Sequence, residues 1–297
     1  MDERRDRNVN IFSAFHPLLL SFYYSLVVLI VVLTQHPIAA IIALLGSLAY
    51  FCALKGWIFT IKEVMFYSFI FLLLFLVYPT FVHNGYTPLF FLNDQPITLE
   101  AIMKGTILAV MIVAVCFWTK SYFEIFTTDK ILFLFTGISA RLAIFMSMLL
   151  RFIPIFKEQW RQKQLAQKSI GYYAVQSKVE KLQRFLKLWV HTLIFSIEFV
   201  FFKPDVMRSR GYGTKTKRTQ FSMIHYMKKD YVFLLFMVCC FGFYLFFKEH
   251  YHFYYYPKLR QEGLNLVQIT MIAILMLLPA MYEMKENAKW IYLKSKM

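Results

Sequence analysis

One short stretch of this chain carries residues spaced for chemistry: "MRSRGYG", Met207–Gly213. Arg210 stands there between two small residues, Ser209 and Gly211. A guanidinium presents a rigid fork of donors suited to a carboxylate or to carbonyl oxygens. The small neighbours let a backbone approach it, and Gly211 and Gly213 can take the positive φ that turns a chain. The chemistry on offer is docking. A basic, glycine-containing loop at a membrane boundary has the same composition, and these seven residues do not separate the two readings.

Other chemistry-bearing residues read as structural. His250 and His252, in "KEHYHFYYYP", offer a metal two ligands but no third at useful spacing, and they sit in an expected belt of tyrosines. Lys215, Lys217 and Arg218 read as anchors on anionic lipid. Arg151, in "RFIPIF", reads as a buried structural link in preference to a helix-end cation reaching for the interface. Cys52, Cys116, Cys239 and Cys240 lie in apolar runs without a C-x-x-C pair, as small hydrophobes do. There is no G-x-x-x-x-G-K-[ST], H-E-x-x-H or G-x-S-x-G motif and no paired-carboxylate site, so the expectation is a protein that is not an enzyme and binds no metal or nucleotide itself.

The elements that must position the docking stretch follow from composition. Of 297 residues, 59% are hydrophobic and 19% aromatic, with a mean hydropathy of +0.52, more apolar surface than a soluble domain of this length can hide. Lipid is therefore the solvent for much of the chain. The net charge of +16 then reflects Lys and Arg collected on the cytoplasmic side, and a nucleic-acid partner is not expected. The N-terminal "MDERRDRNVN" is a poor signal peptide, which makes the first apolar run a permanent span. Seven apolar runs approach the length of a crossing: Pro17–Leu33, Pro37–Leu54, Val64–Val82, Ala101–Trp118, Ile131–Leu150, Tyr231–Phe247 and Leu264–Tyr282. Pro79 and Pro279 fall near span ends, and Glu63 and Glu100 at span edges where they need not be buried. The first two runs contain no charged residue, so no ion or substrate pathway shows.

Charge decides which run does not cross. Residues 151–230 hold 17 Lys/Arg against 5 Asp/Glu, a net of +12, and belong inside by the positive-inside bias. Ile131–Leu150, with Arg141 in its middle, is then a membrane-seated or re-entrant helix. The expected fold is an all-α polytopic membrane protein of about six crossing helices plus a cytoplasmic coupling domain of two long amphipathic helices, with both termini cytoplasmic. Its divisions are N-terminal transmembrane helices over 1–130, the membrane-seated and coupling helices over 131–230, and a transmembrane hairpin with its tail over 231–297. The first amphipathic helix is marked by Ile153, Phe156 and Trp160 and stops at Gly171. The second shows Val179, Leu182, Leu186, Trp189 and Leu193 on one face and ends near Phe202, before Pro204. Each finishes in a small residue plus glycine.

With these pieces in place the chain resembles the transmembrane coupling subunit of energy-coupling-factor (ECF) type ABC importers, a family that includes the permease-like subunit of cobalt and nickel importers. "FHP" (Phe15–Pro17), "NGYTPLFFLNDQPITLEAIMKG" (Asn84–Gly105), "ISARLAIFMSMLLRFIPIFKEQWRQKQLAQ" (Ile138–Gln167) and "MRSRGYG" carry the resemblance, which covers most of the chain. It implies that two cytoplasmic ABC-type ATPase subunits, which bind ATP and Mg, receive the tips Ser169–Ile170–Gly171 and Ser209–Arg210–Gly211. It further implies that Leu182, Leu186, Trp189 and Leu193 meet a small membrane subunit that binds a vitamin or a transition-metal ion, in the cell membrane. The first tip departs from the family's small-Arg-Gly pattern, with Ile170 in place of the arginine. Either it is tuned to one of two non-identical ATPases, or it relies on shape alone. The alternative function is a self-contained secondary transporter or channel.

Overall fold

The computed structural model describes residues 11–92, 95–171, 178–211, 226–247, 253–256, 260–261 and 265–296. Its helices fall into two compact units, Met1–Thr127 with Ile224–Met297, and Thr128–Met223. The first and third segments drawn from the sequence thus belong to one body. Among the described residues, five helices are long and apolar enough to cross a membrane: α2 (Pro37–Lys55), α3 (Trp57–Phe81), α4 (Leu99–Ile125), α8 (Lys228–Phe246) and the first part of α9 (Leu266–Ser295). α1 (Pro17–Leu33) is apolar and, at 17 residues, at the short end of the crossing range. The protein is an all-α polytopic membrane protein.

α1 and α2 begin alike. His16 and His36 cap them, each Nδ1 accepting the N–H two residues on (from Leu18 at 3.3 Å, from Ile38 at 3.2 Å), and a proline follows where its missing N–H costs nothing. α2 is central, packed on both α4 and α9, and it buries the small residues Ala39, Ala40, Ala43, Gly46 and Ser47. Small residues are what lets helices approach closely where lipid supplies no hydrophobic drive. A Cβ on Gly46 would lie 2.9 Å from the Met276 carbonyl oxygen of α9, so only hydrogen fits there. α3 leans on α4 and leaves only 11% of its apolar window inside the protein, which makes it a lipid-facing span. Between α3 and α4, β1 (Pro88–Leu92) and β2 (Gln95–Thr98) pair antiparallel, Phe90 opposite Ile97. A second short hairpin, β3 (Phe253–Tyr254) with β4 (Arg260–Gln261), precedes α9.

The buried centre is aromatic: Trp118, Tyr23, Tyr50 and Phe12 are wholly enclosed and meet edge-on or tilted. The Trp118 indole N–H has no hydrogen-bond partner among the described residues, whereas the tyrosine hydroxyls beside it are paired. The Tyr24 and Tyr50 hydroxyls lie 3.1 Å apart, and the Tyr23 hydroxyl donates to the Leu275 carbonyl at 2.7 Å. Asp230 accepts the N–H groups of Met227 (2.8 Å) and His16 (3.3 Å), and Glu283 accepts that of Phe12 (3.0 Å), tying the start of the chain to its last two helices. Lys55 pairs with Glu124, and Lys120 with Glu63, at one end of the α2, α3 and α4 group.

Several expectations are corrected. Ile131–Leu150 is not one helix: α5 (Thr128–Ile138) ends at Ser139, whose extended backbone (φ −160°, ψ 133°) starts α6 (Ala140–Ser169). α7 (Lys178–Ser209) runs through position 204 and does not end near Phe202, while α6 contains Pro154 and α9 contains Pro279 without a break. A proline deletes one hydrogen bond, a loss that the rest of a long helix absorbs. Glu100 is buried, taking the Thr87 hydroxyl at 2.8 Å.

Candidate functional site: two helix tips

The second unit holds α5, α6 and α7, and its two long helices have the same kind of end. At the close of α6, the Ser169 hydroxyl donates to the Leu165 carbonyl (3.0 Å), Ile170 N–H to Ala166 O (3.3 Å) and Gly171 N–H to Lys168 O (3.0 Å). At the close of α7, the Ser209 hydroxyl donates to Val206 O (2.8 Å), Arg210 N–H to Val206 O (3.2 Å) and Gly211 N–H to Arg208 O (2.9 Å). Gly171 and Gly211 have φ of +71° and +82°, the left-handed conformation that stops a helix and suits glycine. The hydrogen bonds that shape both tips run to carbonyls within the last turn of the same helix. Ile170 is 82% exposed, and Ser169, Ser209, Arg210 and both glycines are exposed as well.

α6 and α7 meet through aromatic edges. Trp160 lies edge-on to Phe185 and Trp189 (ring centres 5.4 and 6.0 Å apart), and Phe156 to Trp189 at 6.1 Å. Lys163 adds a hydrogen bond to the His191 carbonyl (3.1 Å) and lies 4.8 Å from the centre of the Phe195 ring. That helix-to-helix bond carries no periodic signal in the sequence, and reading the chain alone missed it. From the Trp160–Trp189 contact to the tips is about 15 Å along α6 and about 30 Å along α7, at about 1.5 Å per residue. Two stiff arms of unequal length therefore leave one aromatic joint.

Leu182, Leu186 and Leu193 are exposed along α7, while Trp189 shares itself between that face and the joint with α6. Hydrogen bonds from Arg161 and Gln162 hold the Glu158 carboxyl below its usual value. Arg151 is not a buried link: it lies mid-helix in α6 and is exposed, because the helix begins eleven residues before it. The Arg141 side chain, Gly213, Lys215, Lys217, Arg218, His250 and His252 lie outside the described residues. Among the described residues no three histidine, cysteine or acidic side chains gather as a metal site would need. No model of a known protein family matches the chain, and no curated protein matches it either.

Proposed function

We propose that this chain is the transmembrane coupling subunit of an ECF-type ABC importer. In this reading the unit containing α5–α7 is cytoplasmic, on the strength of its net positive charge. Two ABC-type ATPase subunits hold the tips Ser169–Ile170–Gly171 and Ser209–Arg210–Gly211. ATP-driven movement of those subunits passes along the stiff arms α6 and α7. It reaches a small membrane subunit, loaded with a vitamin or a transition-metal ion, that slides on the Leu182, Leu186, Trp189 and Leu193 face. An apolar face suits sliding because no polar contact must break. ATP and Mg belong to the partner subunits; this chain performs no chemistry and acts by position.

The observation that carries the reading is the matched pair of exposed, glycine-stopped helix ends, one of them bearing Arg210. Affinity purification of the tagged chain from its own host, followed by mass spectrometry, tests it: ABC-type ATPases and a small hydrophobic protein are expected. A charge-assisted contact contributes about 1.5–3 kcal/mol, so Arg210→Ala should weaken ATPase retention by about 10- to 150-fold, with membrane insertion unchanged. Full retention and uptake in that variant would remove Arg210 from the docking role. Solute movement by the purified chain alone in vesicles would replace the whole reading with that of a self-contained transporter.

A further inference from the structure

β1 carries apolar side chains on both of its faces. Phe90 stands opposite Ile97 and shares its face, while Phe91 stands opposite Pro96 on the other. Ile97 is buried, yet Leu89, Phe90 and Phe91, with Tyr86 before them, are each at least half exposed. A hairpin lying between a protein core and water is apolar on one face and polar on the other. Here Phe90 and Phe91 leave neither face of β1 polar. Charge is missing as well: from Val64 to Leu99 the single Asp, Glu, Lys or Arg is Asp94, between the two strands.

The base of the hairpin is fastened, so α3 and α4 set where it stands. The Thr98 hydroxyl caps α4 by accepting the Ala101 N–H (3.3 Å), and it donates to the Asn84 carbonyl (2.6 Å). The Leu99 N–H donates to the Thr87 carbonyl (3.0 Å), and the Glu100 carboxylate accepts the Thr87 hydroxyl (2.8 Å). α3 has 25 residues. At about 1.5 Å per residue it is about 37 Å long, against a hydrocarbon thickness of about 30 Å. Its end and the hairpin therefore reach the boundary between acyl chains and headgroups. That end faces lipid through exposed Leu76, Val77 and Phe81, and the apolar surface of β1 continues it.

Backbone chemistry limits the depth. A two-stranded sheet leaves N–H and C=O groups along its outer edges, and hydrocarbon offers them no partners. At headgroup level, water and ester oxygens serve those groups while apolar side chains reach down into the acyl region. A patch made for a protein partner is rimmed by polar residues. Here one rim is the lipid-facing surface of α3 itself.

We propose that β1 is an interfacial membrane anchor, with Leu89, Phe90 and Phe91 sunk among the acyl chains of the leaflet where α3 ends. In the topology that the charges imply, this is the outer leaflet. The anchor fixes the height of α3 and α4 at that surface. Only the membrane-spanning character of the chain is required for this, whatever its coupling role.

The test uses the wild-type chain, one copy per phosphatidylcholine nanodisc. The lipid carries a photoactivatable diazirine either near the ester or at the acyl end, and adducts are mapped by tandem mass spectrometry. Residues Tyr86–Phe91 should take adducts from the ester-proximal carbene, as the end of α3 does, and about threefold fewer from the acyl-end carbene. Hydroxyl-radical footprinting of the same discs should spare Phe90 and Phe91. With no other protein present, neither a second copy nor a partner can supply that protection. Oxidised phenylalanines without lipid adducts would place the hairpin in water and overturn the proposal. Neither adducts nor oxidation would mean that the chain covers its own strand, and a preference for the acyl-end carbene would refute the interfacial depth. The double variant Phe90→Ser, Phe91→Ser changes two exposed side chains. It should lower adducts on Tyr86–Leu89 by about threefold with α3 unaffected; undiminished adducts would show that the phenylalanines do not hold the strand in lipid.

Discussion

Tyr23→Phe deletes one oxygen from the middle of the membrane unit, and the structure says what that oxygen does. Pro279 lies inside α9 and has no N–H, so the carbonyl of Leu275, four residues earlier, has lost its helical partner. The Tyr23 hydroxyl donates to that carbonyl at 2.7 Å, and both residues are buried, at 0% and 2% exposure. Phenylalanine would keep the ring and its edge contacts with Phe12 and Trp118. Hydrogen bonds between membrane helices average about 0.6 kcal/mol and reach about 1.7, because a deprived group usually finds another donor. Leu275 has no other donor in its own helix, which places this bond near the upper end, at about 1.5 kcal/mol. Pro279→Ala restores an N–H at position 279, and in that background Tyr23→Phe should cost less than about 0.5 kcal/mol. The four proteins form a double-mutant cycle with an expected coupling of about 1 kcal/mol. Unfolding in mixed micelles, followed by circular dichroism as denaturing detergent is added, reads each corner. Equal cost in both backgrounds, or none in either, would show that the freed carbonyl is not what Tyr23 serves.

Further perturbations reach other parts of the fold. Gly46→Ala puts a Cβ against the Met276 carbonyl and should lower stability by about 1–3 kcal/mol, read as a fall in thermal midpoint; an unchanged midpoint would mean α2 and α9 are not so close. Burial pushes the His36 imidazole down to about 4, and its Nε2 has no hydrogen-bond partner among the described residues. A depressed histidine stabilises fully above the unfolded value of about 6.5 and loses that contribution as pH falls toward 4, so stability should drop by on the order of 1–2 kcal/mol between about pH 7.5 and 5. His36→Asn keeps a capping acceptor, does not titrate, and should flatten that slope; an unaltered slope would assign the pH dependence elsewhere.

Much of the fold could be read along the chain because its causes are local. Apolar runs of crossing length marked the spans, Pro17 and Pro37 marked two helix starts, and Gly171 marked the end of α6. The tips were legible for the same reason: serine and glycine form them from hydrogen bonds within one turn. One proline misled. Pro204 reads as the break that ends the second amphipathic helix near Phe202, yet α7 passes through position 204 to Ser209. A missing N–H is visible in a sequence, but the donor that compensates for it is not: Tyr23 stands 252 residues from the carbonyl it serves.

The sequence by itself settled the solvent, since no soluble fold hides so much apolar surface, and it settled where helices begin and end when the signal lies within a turn. Tertiary structure alone decided which polar groups go inside. Glu283 takes an N–H 271 residues away, Asp230 one 214 residues away, and Glu100 is enclosed at a position that reads as a span edge. Burying a charge depends on the donors that surround it, and those are brought together by packing across the whole chain, beyond the reach of any local pattern.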